Sequence, residues 1–138
     1  MKNIFLVTCL AVLSLLSTGA YARLSVPVQS PQNATFPVIA GAAPLTTEKV
    51  RDAVATAGSA RGWQVIDEQP GVITLHNLVR GRHDVTVKVF YDTVGFHVDY
   101  VDTKNLNYAM RHGVPYIHPK YNIWVQTLIQ DILAKAAH

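Results

Sequence analysis

Cysteine is all but missing from this chain of 138 residues: Cys9 stands alone, inside an apolar run near the N-terminus. Beyond that run no thiol remains for a disulfide framework, a thiolate metal site or a cysteine nucleophile. Serine is scarce after residue 22, where only Ser25, Ser30 and Ser59 occur. No Gly-x-Ser-x-Gly elbow, glycine-rich phosphate loop or paired carboxylates in an evident cleft announce an enzyme. An excess of one charge is lacking too. Twelve Lys and Arg against nine Asp and Glu leave a formal +3, too little by itself to imply a nucleic-acid or anionic-membrane footprint. The only long apolar run, Ile4 to Leu16, is 13 residues, short of the roughly 20 that span a bilayer.

That run has the make-up of an export signal. Lys2 supplies the positive start, and Ala20-Tyr21-Ala22 places small residues where a signal peptidase reads them. Residues 1–22 are therefore expected to be cleaved after Ala22. The remaining protein is expected to be periplasmic or secreted and soluble, with no membrane-spanning segment. Cys9 sits too early in the run to become a lipidated N-terminus.

About 116 residues then remain, enough for one domain and too few for two. Residues 23–35, with Pro27, Pro31 and several polar side chains, read as a flexible leader. Residues 36–138 read as a single domain opening on an edge strand at Phe36–Ala40. Thr46 and Glu48 mark a helix start, with Val50, Ala53, Val54 and Ala57 as its apolar stripe and Gly62 as its left-handed stop. From Trp63 to Val101 the period shortens to two, and Pro70-Gly71, Gly81-Arg82 and the 92–95 segment break it into four strands. Residues 102–117 show no period and read as a loop. Pro119 then opens a helix whose apolar face runs from Tyr121 through Val125, Leu128 and Ile132. The expected fold is α+β: an antiparallel four- to five-stranded meander with two helices packed on one face, in the order β-α-β-β-β-β-α.

A set of short motifs follows in order. It comprises Arg61-Gly62-Trp63, Pro70-Gly71-Val72-Ile73, Arg80-Gly81-Arg82-His83, Asn105-Leu106-Asn107-Tyr108 and His118-Pro119-Lys120-Tyr121-Asn122. With Tyr91-Asp92, Trp124-Val125 and Asp131-Ile132, the set resembles a family of small bacterial envelope proteins of uncharacterised function, many of them lipoproteins by sequence. The resemblance covers roughly residues 46–133 and implies an envelope location and a small α+β fold. It supplies no catalytic residues. The chain departs from the lipoprotein members in having no cysteine at the signal boundary.

Several residues are candidates for recognition. Asn105, Asn107 and Tyr108 fall on the aperiodic segment, where binding residues often sit, although Asn side chains also serve turns. Arg80 and Arg82 concentrate charge on one hairpin and could grip a carboxylate or phosphate. His76, His97 and Asp99 should stand on the open face of the sheet, where two imidazoles and a carboxylate would suit Zn²⁺ or Cu²⁺ if the strands adjoin. No cofactor is indicated. The first reading is a non-enzymatic binding module of the envelope, its partner an envelope protein or a cell-wall or lipid component and not nucleic acid. A carrier of a small ligand or metal is second, and an enzyme without a recognisable motif third.

Overall fold

A computed structural model of the chain describes residues 24–138; the export signal read over residues 1–22 lies outside the described residues. The fold is α+β. Four strands follow the period-two stretch, β3 (Gln64–Gln69), β4 (Val72–Val79), β5 (His83–Tyr91) and β6 (Gly95–Lys104). They pair as an antiparallel meander, and β2 (Gln32–Thr35) adds to the far side of β6, giving the order β2-β6-β5-β4-β3. Alternation along β4 to β6 turns Ile73, Leu75, Val85, Val87, Val89 and Val98 to one face, where each is fully buried.

Two helices cover that face. In α1 (Thr47–Ala60) the expected stripe of Val50, Ala53, Val54 and Ala57 is buried, and the helix packs on β3, β4 and β5. Thr46 caps it, its Oγ1 accepting from the Lys49 N–H at 3.1 Å. Its end is a paired reverse turn: the Trp63 N–H donates to Gly58 O at 2.9 Å and the Gly62 N–H to Ser59 O at 3.2 Å. Gly62 adopts φ +88, and a Cβ there would stand 3.2 Å from the Asn77 Oδ1. The second helix, α2 (Lys120–Ala136), follows Pro119, which already has helical dihedrals, and His118 Nδ1 accepts from the Lys120 N–H at 3.1 Å. Arg51 ties α1 to the edge strand β3 through a two-pronged contact with Glu68, at 2.6 and 2.9 Å.

The N-terminal segment differs from expectation. Within the stretch read as a leader, β1 (Val26–Pro27) and β2 both lie in sheets, and the strand expected at Phe36–Ala40 is found at Gln32–Thr35. The buried Asn122 side chain is the reason. It accepts from the Gln29 N–H and donates to Pro27 O, each at 3.0 Å. The Tyr100 N–H also donates to Ser30 Oγ at 2.9 Å. Residues 102–117 differ as well, because β6 continues to Lys104 and two short strands follow, β7 (Ala109–Arg111) and β8 (Val114–Ile117). These join β1 in a small sheet of order β1-β8-β7. Strands of two to four residues carry too little alternation to be read from sequence.

Two buried hydroxyls among the described residues are left without a partner, those of Thr74 and Tyr121. Tyr121, wholly buried at the start of α2, makes no hydrogen bond from its hydroxyl among the described residues. Burial pushes its phenol well above the ordinary value of 10.0, with smaller contributions from Tyr100 and Asp99.

Two predictions follow from this packing. Asn122→Ala strands the Gln29 N–H and Pro27 O, and should cost about 2–3 kcal/mol in urea unfolding. Amides 26–34 should then exchange faster; unchanged exchange there contradicts the clamp. Tyr121→Phe deletes an unpartnered hydroxyl and should leave stability unchanged or raise it by up to about 1 kcal/mol. Tyr121 takes nothing from stability below pH 10, where the phenol is protonated in both states. Above it the unfolded chain releases the proton first, so stability falls as pH rises, by at most about 1.4 kcal/mol per pH unit. The Phe variant should lose that share of the alkaline slope, and an identical slope contradicts the assignment.

Candidate functional site

The meander brings three separate stretches of sequence to one end of the domain. Val79 pairs with His83 across the β4–β5 turn, and Asp84 pairs with Lys104 at the end of β6. The turn and the segment after β6 are therefore neighbours. Arg80 (φ 55) and Gly81 (φ 65) take left-handed conformations in the turn, leaving Arg80 and Arg82 exposed. Asn105 (φ 63) locks the two stretches together. Its Nδ2 donates to Arg82 O at 2.8 Å, and the His83 Nδ1–H donates to Asn105 O at 2.8 Å. The His83 ring in turn lies 5.9 Å from that of Trp124, on α2. Leu106 is buried beside this lock, and its carbonyl accepts from the His118 N–H at 2.8 Å.

The predicted recognition residues thus come together, but not as one set of free polar groups. Asn105 spends its amide on the turn. Asn107 is a second left-handed residue, φ 56, a conformation Asn tolerates better than most. The Tyr108 ring is stacked on Tyr100 at 4.8 Å, and Tyr100 meets the edge of Tyr121 at 5.4 Å. Tyr108 remains partly open to solvent, and its hydroxyl lies 3.8 Å from the Met110 sulfur.

What the sequence reading missed is the company these residues keep. Lys104 and Lys120 are exposed on segments that border the turn carrying Arg80 and Arg82, since Asp84 pairs with Lys104 and the His118 N–H donates to Leu106 O; Arg111 is exposed on the neighbouring β7. Among the described residues, the acids on the strand ends that meet Arg80, Arg82, Lys104 and Lys120 are Asp84, engaged by His76 Nε2 at 2.8 Å, and Asp102. The other seven acids lie elsewhere, where Glu68 is bound by Arg51 and Asp131 by Arg61. A modest net charge is therefore sorted into a cationic end and a slightly acidic remainder. The signal was present in the sequence: no Asp or Glu occurs between Asp102 and Asp131.

The metal expectation is corrected. His76 and His97 do face the open side, but His76 pairs with Thr86 and His97 with Phe90. Four residues of β5 separate those positions, about 13 Å, with two interstrand spacings of about 4.8 Å between β4 and β6. Each imidazole has its own carboxylate, since His97 Nδ1 lies 2.5 Å from Asp99 Oδ1 and its ring stacks on Phe90 at 4.8 Å. Among the described residues, no three His, Cys, Asp or Glu lie close enough to hold an ion.

Two grooves open at other places. One, of about 590 Å³, lies between the helices and carries the Arg61–Asp131 ion pair. The other, of about 440 Å³, is walled by Phe36, Val38, Leu45, Val94, Leu133 and Ala136. Neither includes a predicted recognition residue. Comparisons with protein-family models, curated proteins and solved structures find no match to this chain.

The lock at Asn105 is testable by a pair of variants. Asn105→Gly loses the bond to Arg82 O but keeps the left-handed backbone, whereas Asn105→Ala loses the bond and adds strain. The Ala variant should be less stable than the Gly variant by about 1 kcal/mol in urea unfolding. Equal stability contradicts the structural role assigned to this residue.

Proposed function

We propose that this chain is a non-enzymatic binding module of the bacterial envelope, exported and released after Ala22. On this reading it meets its partner through the end of the domain built by the β4–β5 turn, residues 105–108 and the start of α2. The observation that carries the reading is the sorting of charge: the exposed Arg80, Arg82, Lys104 and Lys120 lie on segments that meet there, against the carboxylates of Asp84 and Asp102. A solvated surface has no need to hold like charges together, since they repel one another. An anionic partner removes that repulsion. The resemblance to small envelope proteins supports the location, and the make-up of residues 1–22 supports export.

The chain, expressed from Met1 in a bacterial host, should be recovered with Arg23 as its N-terminus by mass spectrometry. It should sediment with an isolated envelope fraction. The triple variant R80E/R82E/K120E should lose at least about tenfold in that affinity while melting at the same temperature. An intact Met1 contradicts export, and undiminished sedimentation of the triple variant contradicts the assigned surface.

A further inference from the structure

Large apolar side chains are exposed at several places on the domain, and four of them lie on residues 108–114 and the start of α2, next to the cationic segments. Met110 is 59% exposed and Ile123 56%, and Tyr108 and Val114 are each more than two-fifths exposed. They interleave with Arg111 and Lys120 in sequence, on the β7–β8 hairpin and the first turn of α2. The β7–β8 hairpin explains how both kinds of side chain reach outward. Met110 pairs with Pro115 on one face, Arg111 with Val114 on the other, and every residue from Asn107 to Val114 is exposed. β7 is the edge of its small sheet, and among the described residues no strand pairs with its outer side. Arg111 lies 5.3 Å over the Tyr116 ring, which holds the cation at the hairpin rather than letting it swing free.

We infer that this end docks on an anionic phospholipid bilayer, with the β7–β8 hairpin entering the headgroup layer and the surrounding Arg and Lys contacting lipid phosphates. The inference rests on the reading of this end as the binding surface and names its partner. Charge complementarity selects an anionic surface, and the interleaved apolar side chains select a lipid one. Against a nucleic-acid backbone, Met110, Val114 and Ile123 would stay wet. In a headgroup layer they leave water while the flanking cations remain at the phosphates. Tyr108 and Tyr116 have the amphipathic rings that favour this depth. No helix among the described residues is long and apolar enough to cross a membrane, so the contact is one of docking at the surface.

The test uses the exported chain with vesicles of phosphatidylcholine, alone or with about 30% phosphatidylglycerol, at ~100 mM salt. Sedimentation should be at least about tenfold stronger with the anionic vesicles. R111E/K120E should lose most of that binding, M110S/V114S should weaken it severalfold, and Lys135→Glu, at the far end of α2, should leave it unchanged. Each variant is checked for an unchanged melting temperature. Inorganic phosphate or an oligothymidylate should not release the protein; release by either reassigns the surface to a free anion or to nucleic acid and overturns the inference. So does equal binding to neutral and anionic vesicles. Should the chain bind the envelope fraction but not the vesicles, the lipid inference fails and the binding-module reading stands. Should it bind neither, both fail.

Discussion

The structure depends on one dry interface, the inner face of a five-stranded sheet against two helices. Ile73 and Leu75 of β4, Val85, Val87 and Val89 of β5, and Val98 of β6 have no contact with water. Burying each is worth roughly 1.5–3 kcal/mol relative to leaving it exposed. A slip of one residue in any of these strands would turn its apolar set to the solvent side. The register is therefore held tightly. That register fixes which turns lie at which end, and so makes neighbours of residues 80–82, 104–108 and 118–124.

Polar groups finish what the apolar face begins. Asn122 holds the N-terminal segment against α2, Asn77 donates to Arg61 O at 3.1 Å behind α1, and Asn105 ties the β4–β5 turn to the chain leaving β6. All three are asparagines whose side chains meet backbone groups that no strand or helix ladder satisfies. The unpartnered Tyr121 hydroxyl shows the opposite case, a polar group kept in the core beside the ring of Tyr100. Its position fixes the start of α2 beneath the surface that carries the exposed cations.

Much of this frame was legible in the residues. The stripe of Val50, Ala53, Val54 and Ala57, the Thr46 cap and the Gly62 stop located α1, alternation located β4 to β6, and the Pro70-Gly71 turn marked the end of β3. The strands at 26–27, 32–35, 109–111 and 114–117 escaped the sequence because their order is borrowed. Val26 pairs with Ile117 and Gln32 with Val98, partners more than sixty residues away, and such short strands have no period of their own. The open-face placement of His76 and His97 was right by parity. Their distance was not, because parity says nothing of register along β5. For the candidate surface, a whole-chain charge of +3 concealed the pattern. It shows in the absence of acids from 103 to 130, because Lys104 and Lys120 border the turn that carries Arg80 and Arg82.

A dry sheet–helix interface thus carries a cationic end flanked by exposed apolar side chains. The central claim is that this end, and no other part of the molecule, meets the partner. Amide chemical shifts of the exported chain, followed while anionic bicelles are added, test it most directly. The account predicts that the largest changes cluster at residues 80–82, 104–116 and 120–124. The signals of residues 36–45 and of β3 should hardly move. Changes centred on the apolar groove at 36–45 or on β3, or none at all, would contradict it.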